Sequence, residues 1–369
     1  MRKTLEFAFL LALVSIAQSG SLRAEFIYVS YGSSLLSYAL DNKTGIISPL
    51  PSSPLPIAGG ASNLVVAPSN RFLYADTGNP SVVSGYRIKP NGELATLSGS
   101  PFKASGGALA LDPFDRFLYV ADGAQNGSVS VYRIAADGAI KPKPVPGSPF
   151  PAGSFPFSIA ADPFGRFVYA ANAVSKDVSA YQVLENGTLV TVPGSPFPIT
   201  GQGNLVTVAV DPSGRFVYVG NFGGASVSSF RIGSNGALTQ LAGSPTKIGG
   251  EWLQDLVLDP TGGFLYVLQG ETGLESFHID NTTGALELAS AVQSAREVFI
   301  LAVDPLGKFV YAGNSNDIVP GPVSLSGFHV DSQGVLKPVL GSPFFLPVPD
   351  GTSPGSIVIV KRSGHAADQ

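Results

Sequence analysis

A tyrosine that follows two apolar residues recurs seven times, and this repeat constrains the fold more than any other feature. The positions are Tyr28, Tyr74, Tyr119, Tyr169, Tyr218, Tyr266 and Tyr311, at intervals of 45 to 50 residues. Around each tyrosine lie the same elements: an apolar stretch, an Asp-Pro-x-Gly type of turn, two short strands, an Asn-Gly type of turn and a Gly-Ser-Pro segment. A period of about 45 residues built from short strands is typical of a β-propeller blade.

The turns inside a repeat predict antiparallel hairpins. In 211–214 (Asp-Pro-Ser-Gly), proline supplies a φ of roughly −65° and glycine a positive φ, which joins two strands tightly. The next hairpin has Asn91-Gly92, Asp137-Gly138, Asn186-Gly187 or Asn235-Gly236. The first apolar stretch of a unit, such as 256–258, hardly alternates, so both of its faces must be covered. We therefore expect it to be the innermost strand of a four-stranded blade.

The two ends of the chain predict how the ring closes. Six complete units begin near Ala61, Gly106, Ser154, Gly203, Glu251 and Val298. A further unit has its last three strands between Phe26 and about Leu50, and Ser356–Val360 supplies its missing first strand. Joining these pieces removes the open edge of the sheet. The sequence thus predicts an all-β, seven-bladed propeller over residues 25–362, followed by a tail at 363–369.

The first 19 residues have the pattern of a secretory signal peptide. Arg2 and Lys3 precede an apolar run from Phe7 to Ala17, and small residues follow it. The run is too short to span a bilayer, which takes ~20 residues. We expect cleavage after Ser19, or alternatively after Ala24, and a secreted or periplasmic protein. The weaker alternative is a buried amino-terminal helix.

Composition excludes several kinds of chemistry. The chain has no cysteine, which rules out disulfides, thiolate catalysis and cysteine-based metal centres. Its formal net charge is −4, without Lys/Arg clusters, which argues against a nucleic-acid groove or an anionic-membrane patch. We expect no cofactor, no bound metal, no membrane insertion and a monomer.

The repeat resembles a known family. The segments 169–172, 218–221 and 311–314 are similar to the Tyr-Val-Thr-Asn repeat of propeller proteins. With the preceding Asp-Pro-x-Gly-Arg-Phe and the following Val-Ser-x-Phe, the chain resembles the seven-bladed lactonase-type propellers, which include 6-phosphogluconolactonases and carboxy-muconate cyclases. The resemblance covers the mature chain and implies His, Arg and Glu around a central channel. Here His278 and His329 occupy a strand position that is Arg in three other blades, so we expect them at the surface.

We expect the functional site at the channel mouth, on the face that carries the variable loops and the blade-to-blade crossings. Five residues before each turn proline lies the position predicted to open the inner strand: Asn63, Ala108, Ser158, Thr207, Asp255 and Ile300. Three residues after each repeat tyrosine lies a second ring: Tyr31, Thr77, Asp122, Asn172, Asn221, Gln269 and Asn314. The polar members either bond turn backbone or form a rim that binds a neutral hydroxylated ligand.

Four ionisable residues interrupt the repeat at the crossings into blades six and seven. They are Glu251, Asp255, Arg296 and Glu297. An arginine beside carboxylates can orient a lactone carbonyl and leave a carboxylate as general base, and the alternative is a surface ion pair of little energetic value. Trp252, the only tryptophan, either stacks on a sugar ring or packs between blades.

Two functional hypotheses follow. The first is a secreted, lactonase-like propeller that binds a neutral polar ligand, a carbohydrate or a peptide. The predicted ligand-binding residues are Asn63, Trp252 and five members of the second ring, namely Asp122, Asn172, Asn221, Gln269 and Asn314. The alternative is a lactonase-type hydrolase that opens an unphosphorylated sugar or related lactone, with Glu251, Asp255, Arg296 and Glu297 as catalytic candidates.

Overall fold

The computed structural model describes residues 25–78, 81–104, 106–200, 203–269, 273–293, 298–314, 322–348 and 354–362. Throughout these ranges the regular secondary structure is β-strand. The predicted signal peptide at 1–19 and the tail at 363–369 lie outside the described residues.

The strands form seven separate sheets, one for each predicted blade. Blade 1 contains β1 (Glu25–Tyr31), β2 (Ser34–Leu40), β3 (Ile47–Pro49), β4 (Leu55–Pro56) and β33 (Pro354–Lys361); blade 2 contains β5 (Asn63–Val66), β6 (Phe72–Gly78), β7 (Ser81–Ile88) and β8 (Leu94–Thr96). Blade 3 contains β9 (Ala108–Leu111), β10 (Phe117–Asp122), β11 (Ser128–Ile134), β12 (Ile140–Pro144) and β13 (Phe150–Pro151); blade 4 contains β14 (Pro156–Ala161), β15 (Phe167–Asn172), β16 (Asp177–Val183), β17 (Leu189–Thr191) and β18 (Phe197–Pro198). Blade 5 contains β19 (Leu205–Val210), β20 (Phe216–Asn221), β21 (Ser226–Ile232), β22 (Leu238–Gln240) and β23 (Thr246–Lys247); blade 6 contains β24 (Leu253–Leu258), β25 (Phe264–Gln269), β26 (Gly273–Ile279) and β27 (Leu286–Gln293). Blade 7 contains β28 (Val298–Val303), β29 (Phe309–Asn314), β30 (Ser324–Val330), β31 (Leu336–Pro338) and β32 (Phe344–Phe345).

Each blade is an antiparallel meander in chain order, as in the series β9-β10-β11-β12. In five blades a two-residue strand from the Gly-Ser-Pro segment also pairs with the third strand. The serine of this segment accepts a hydrogen bond from a backbone N–H of the third strand, as Ser148 Oγ does from Val131 at 3.1 Å. The predicted all-β, seven-bladed propeller is confirmed.

The two ends of the chain share blade 1. Strand β33 pairs antiparallel with β1, from Glu25 opposite Lys361 to Tyr31 opposite Pro354. Val360 is fully buried with Phe26 and Tyr28, and Ile357 packs into the cluster between blades 1 and 7. The predicted closure is therefore confirmed, with a strand longer than the predicted Ser356–Val360.

The repeat tyrosine bonds neighbouring blades to one another. The Tyr28 hydroxyl donates to the carbonyl of Gly92, in the outer hairpin of the next blade, at 2.7 Å. Four other pairs repeat this bond: Tyr74 with Gly138, Tyr169 with Gly236, Tyr218 with Gly284 and Tyr311 with Gly45. The last of these runs from blade 7 to blade 1, so the same contact also closes the ring.

Two structural constraints require glycine at the second position of the Asn-Gly type of turn. Gly92 has a φ of +83°, a region that L side chains rarely adopt, and a Cβ there would lie 2.3 Å from the Phe26 ring of the neighbouring blade. The corresponding glycine lies against the corresponding phenylalanine at all seven interfaces. The Asn-Gly type of turn is thus required both by its own conformation and by packing between blades.

Candidate functional site

A cavity of about 630 Å³ lies at the end of the central channel where the chain enters the inner strands. All seven blades contribute to its wall. The six positions counted back from the turn prolines all line this cavity: Asn63, Ala108, Ser158, Thr207, Asp255 and Ile300. Ser356 of β33 also lines it. A polar and partly apolar ring therefore surrounds the channel mouth.

One hydrogen-bond geometry recurs around this ring. The side-chain oxygen of a polar member accepts a hydrogen bond from a backbone N–H in the inner strand of the next blade. This is seen for Asn63 with Leu109 at 3.3 Å, Ser158 with Val208 at 3.1 Å, and Asp255 with Leu301 at 3.0 Å. Because the bond uses only one acceptor group, the Asn63 amide still has N–H donors for a ligand, and the Ser158 hydroxyl still has its proton.

Of the described residues that line the cavity, Asp255 alone is ionisable. Its Oδ1 also accepts the N–H of Leu256 at 2.8 Å. Burial raises the pKa of Asp255 from 3.8 to about 7, and the two backbone hydrogen bonds only partly offset this effect. A carboxylate with a pKa near neutrality is well matched to general-base chemistry.

The inner strands of blades 4 to 7 differ from the prediction. They begin at Pro156, Leu205, Leu253 and Val298, so the prediction that Ser158, Thr207, Asp255 and Ile300 open these strands is wrong by two residues. For Asn63 and Ala108 the predicted start is correct. The register shifts by one residue near the start of each of the four strands, which defines a β-bulge.

The bulges add side chains to the mouth that sequence reasoning missed. The extra residue is Phe157 in blade 4, Gln254 in blade 6 and Phe299 in blade 7, and all three line the cavity. A bulge turns a side chain away from the regular alternation of the strand, which explains why these residues reach the channel. The signal available in the sequence was the polar or aromatic residue immediately before Ser158, Asp255 and Ile300.

The second predicted ring lies inside the blades. The amide of Asn172 is buried and donates to Asp177 at 2.6 Å and to Ser179 at 2.9 Å, both on the third strand. Asn221 and Asn314 make equivalent bonds to serines, while Gln269 is buried and Asp122 is partly exposed. Among the described residues that line the cavity, none belongs to this second ring.

The remaining predicted residues separate into three groups. Glu251 is exposed and Trp252 is partly buried. The Trp252 ring stacks on Phe222, with ring centroids 6.3 Å apart, and Phe222 lines the cavity. Arg296 and Glu297 lie outside the described residues. His278 and His329 are exposed, and each makes a T-shaped contact with a phenylalanine, Phe264 and Phe309 respectively.

The described residues offer neither a metal centre nor a membrane-spanning helix. No cluster of three or more His, Asp or Glu side chains within the described ranges could hold a metal ion. In the same ranges, no helix has the length and apolar character needed to cross a membrane.

The fold and the cavity together define a seven-bladed β-propeller with a pocket at its channel mouth. The chain belongs to the lactonase family of 7-bladed β-propellers, whose family model matches residues 26–145 and 144–291. No curated protein matches the sequence.

Solved structures match over nearly the whole chain. A Bacteroides uniformis protein provisionally assigned as a 6-phosphogluconolactonase is 18% identical with a TM-score of 0.75, and the match covers 92% of this chain and 100% of that one. The Pseudomonas aeruginosa periplasmic gluconolactonase PpgL is 23% identical with a TM-score of 0.74, covering 91% and 99%. A Lactobacillus plantarum protein is 19% identical with a TM-score of 0.73, covering 92% and 99%. At these identities the similarity establishes the fold.

Proposed function

We propose that this protein is a hydrolase that opens an unphosphorylated sugar lactone, or a related lactone, at the channel mouth. The observation that carries the proposal is Asp255, a carboxylate with a pKa of about 7 in the wall of a cavity of about 630 Å³. Membership of the lactonase family and the names of two structural neighbours support the same chemistry.

Asp255 acts as the general base in this proposal. Its carboxylate takes a proton from a water molecule, whose oxygen attacks the lactone carbonyl carbon. Amide and hydroxyl donors of Asn63 and Ser158 stabilise the negative charge that develops on the carbonyl oxygen. The bond between the carbonyl carbon and the ring oxygen then breaks, and the proton held by Asp255 passes to that oxygen. The product is the open-chain hydroxy acid.

The substrate is unphosphorylated because the described wall of the cavity offers no cation. Phosphate recognition commonly uses arginine or lysine, and none of the described lining residues is basic. Residues 1–19 fit a signal peptide, so we propose that the protein acts outside the cytoplasm. The structural neighbour PpgL is a periplasmic gluconolactonase, which supports this proposal.

The proposal is tested by offering the purified protein glucono-δ-lactone, 6-phosphoglucono-δ-lactone and simple γ-lactones, and following acid release in a pH-stat. We expect turnover of unphosphorylated lactones above the spontaneous rate, and a loss of 10²-fold or more in Asp255→Asn, as is typical for a general base. Asp122→Asn, which removes a carboxylate of the second ring, is the matched control. Equal losses in the two variants would contradict the assignment of the base.

Two further variants test the residues outside the described ranges. If Arg296 and Glu297 take part, Arg296→Ala and Glu297→Gln lose turnover as Asp255→Asn does. Turnover that survives both substitutions leaves Asp255 as the base and removes these two residues from the site.

Binding without catalysis is the second candidate function. It is favoured by one observation: Asp255 has no second ionisable partner among the described lining residues. Absence of turnover on the whole lactone panel, together with saturable binding on a glycan or peptide array, would support a neutral-ligand-binding protein instead.

A further inference from the structure

The wall of the cavity has an aromatic side outside the polar ring. Phe157 of blade 4 is 63% exposed and Phe222 of blade 5 is 37% exposed, and both line the cavity. These two residues are called the aromatic ledge. Ligand pockets are lined mostly by apolar and aromatic side chains, so exposed aromatic rings in the wall of a cavity form a surface that a ligand can cover.

The ledge is held in place by the backbone and by Trp252. The Phe157 position is set by the bulge in β14. The Phe222 N–H donates to Asn204 at 2.8 Å, its carbonyl accepts from Leu253 at 3.3 Å, and its ring stacks on Trp252. The ledge is therefore a built surface on blades 4 and 5, beside the blade that carries Asp255.

The size of the cavity exceeds what one sugar ring fills. At ~30 Å³ for each water, a cavity of about 630 Å³ corresponds to about 20 water-sized volumes. A hexonolactone has about 12 non-hydrogen atoms and a two-ring aldonolactone about 23. Because bonded atoms lie closer together than water molecules do, the smaller molecule leaves more than half of the pocket empty, whereas the larger one fits with both rings inside.

We propose that the preferred substrate is a lactone that carries a second sugar ring. The proposal rests on the lactonase function proposed above and names its substrate class. The lactone ring lies against Asn63, Ser158 and Asp255, and the C–H face of the second pyranose lies on the aromatic ledge. The partial positive charge of the C–H groups meets the negative face of the phenylalanine rings, while the sugar hydroxyls remain at the open end of the cavity.

The kinetic test compares kcat/KM for cellobiono-δ-lactone and glucono-δ-lactone. Stacking worth about 1.4 kcal/mol gives about a 10-fold preference for the disaccharide lactone in the unaltered protein. Phe157→Ala and Phe222→Ala bring the ratio of the two kcat/KM values towards one. Phe114→Ala removes a phenylalanine of similar exposure, 61%, from the turn face at the other end of the ring, and leaves the ratio unchanged.

A binding test separates this proposal from the lactonase function. Trp252 is the only tryptophan and stacks on the ledge, so its fluorescence reports the ledge directly. The unaltered protein is titrated at pH 5 with cellobionate and with gluconate, the corresponding open-chain acids. We expect a saturable change in emission with cellobionate at concentrations where gluconate produces none, and no such change in Phe222→Ala.

The outcomes are distinguishable. A cellobionate-dependent change in emission without turnover of either lactone supports the ledge and overturns the lactonase function. Turnover of both lactones at equal kcat/KM, with no difference between the two acids in the titration, overturns the ledge and leaves the lactonase function standing.

Discussion

Replacing Asp255 by asparagine changes the stability of the protein in a pH-dependent way. Burial raises the pKa of Asp255 from 3.8 to about 7, which converts to about 4 kcal/mol favouring the protonated form in the folded state. The contribution of this preference to the free energy of unfolding is fully present below pH 4 and is lost as the pH rises through 7. Integrated between pH 5 and pH 8, this one group lowers the free energy of unfolding by about 2 to 3 kcal/mol. The value is an upper limit because the side chain is partly exposed to the cavity.

The assay is urea unfolding of the unaltered protein and of Asp255→Asn at pH 5 and pH 8. Asparagine stays neutral at both pH values, so the variant gains stability relative to the unaltered protein as the pH rises. All other titrating groups are common to both proteins and cancel in the difference. Glu251→Gln is the control, since it removes an exposed carboxylate from the crossing that leads to Asp255.

A single result would refute this reasoning. If the difference in unfolding free energy between Asp255→Asn and the unaltered protein is the same at both pH values, Asp255 does not titrate near neutrality in the folded state. The proposed general base would then be charged throughout the working range, with no special match to proton transfer.

The remaining predictions concern the ring itself. Tyr28→Phe loses the hydrogen bond to the next blade and lowers the free energy of unfolding by about 1 kcal/mol or more. Tyr119→Phe costs nothing, because that buried hydroxyl has no partner among the described residues. Equal losses of the two variants in urea unfolding would contradict this prediction. Gly92→Ala destabilises by more than Gly243→Ala in the same assay, since both positions have a positive φ but only Gly92 also packs on a neighbouring ring, and Gly243 faces open space. Deletion of Ser356–Val360 lowers the melting temperature of the whole protein, because it removes the inner strand of blade 1; an unchanged value would exclude closure by this strand.

The number of blades and the closure could be predicted because they depend on local signals that repeat. The repeat tyrosine, the turn residues and the unalternating inner strands each belong to a single hairpin or strand, so one chain shows each of them six or seven times. What the repeat could not reveal is why the tyrosine is there. Its partner, such as Gly92 for Tyr28, lies 64 residues away in the next blade.

The candidate site was less predictable because it depends on departures from the repeat. Counting from the turn proline located Asp255 and Asn63 in the cavity wall, since that count follows the backbone from a fixed turn. It did not reveal the bulges that bring Phe157 and Phe299 to the mouth, because a bulge adds a single residue while the spacing between neighbouring turn prolines itself varies between 45 and 50 residues. The asparagines of the second ring share one position in the repeat, and that position faces the serines of the adjacent strand rather than the channel.

The central claim, that Asp255 removes a proton during lactone opening at the channel mouth, is tested most directly by the pH dependence of kcat/KM. On an unphosphorylated lactone, after subtraction of the spontaneous rate, we expect kcat/KM to rise with pH to a plateau, with a midpoint near the pKa of about 7. The rise is expected to be absent in Asp255→Asn. A profile with its midpoint below pH 5, or the same profile in the variant, would contradict the account.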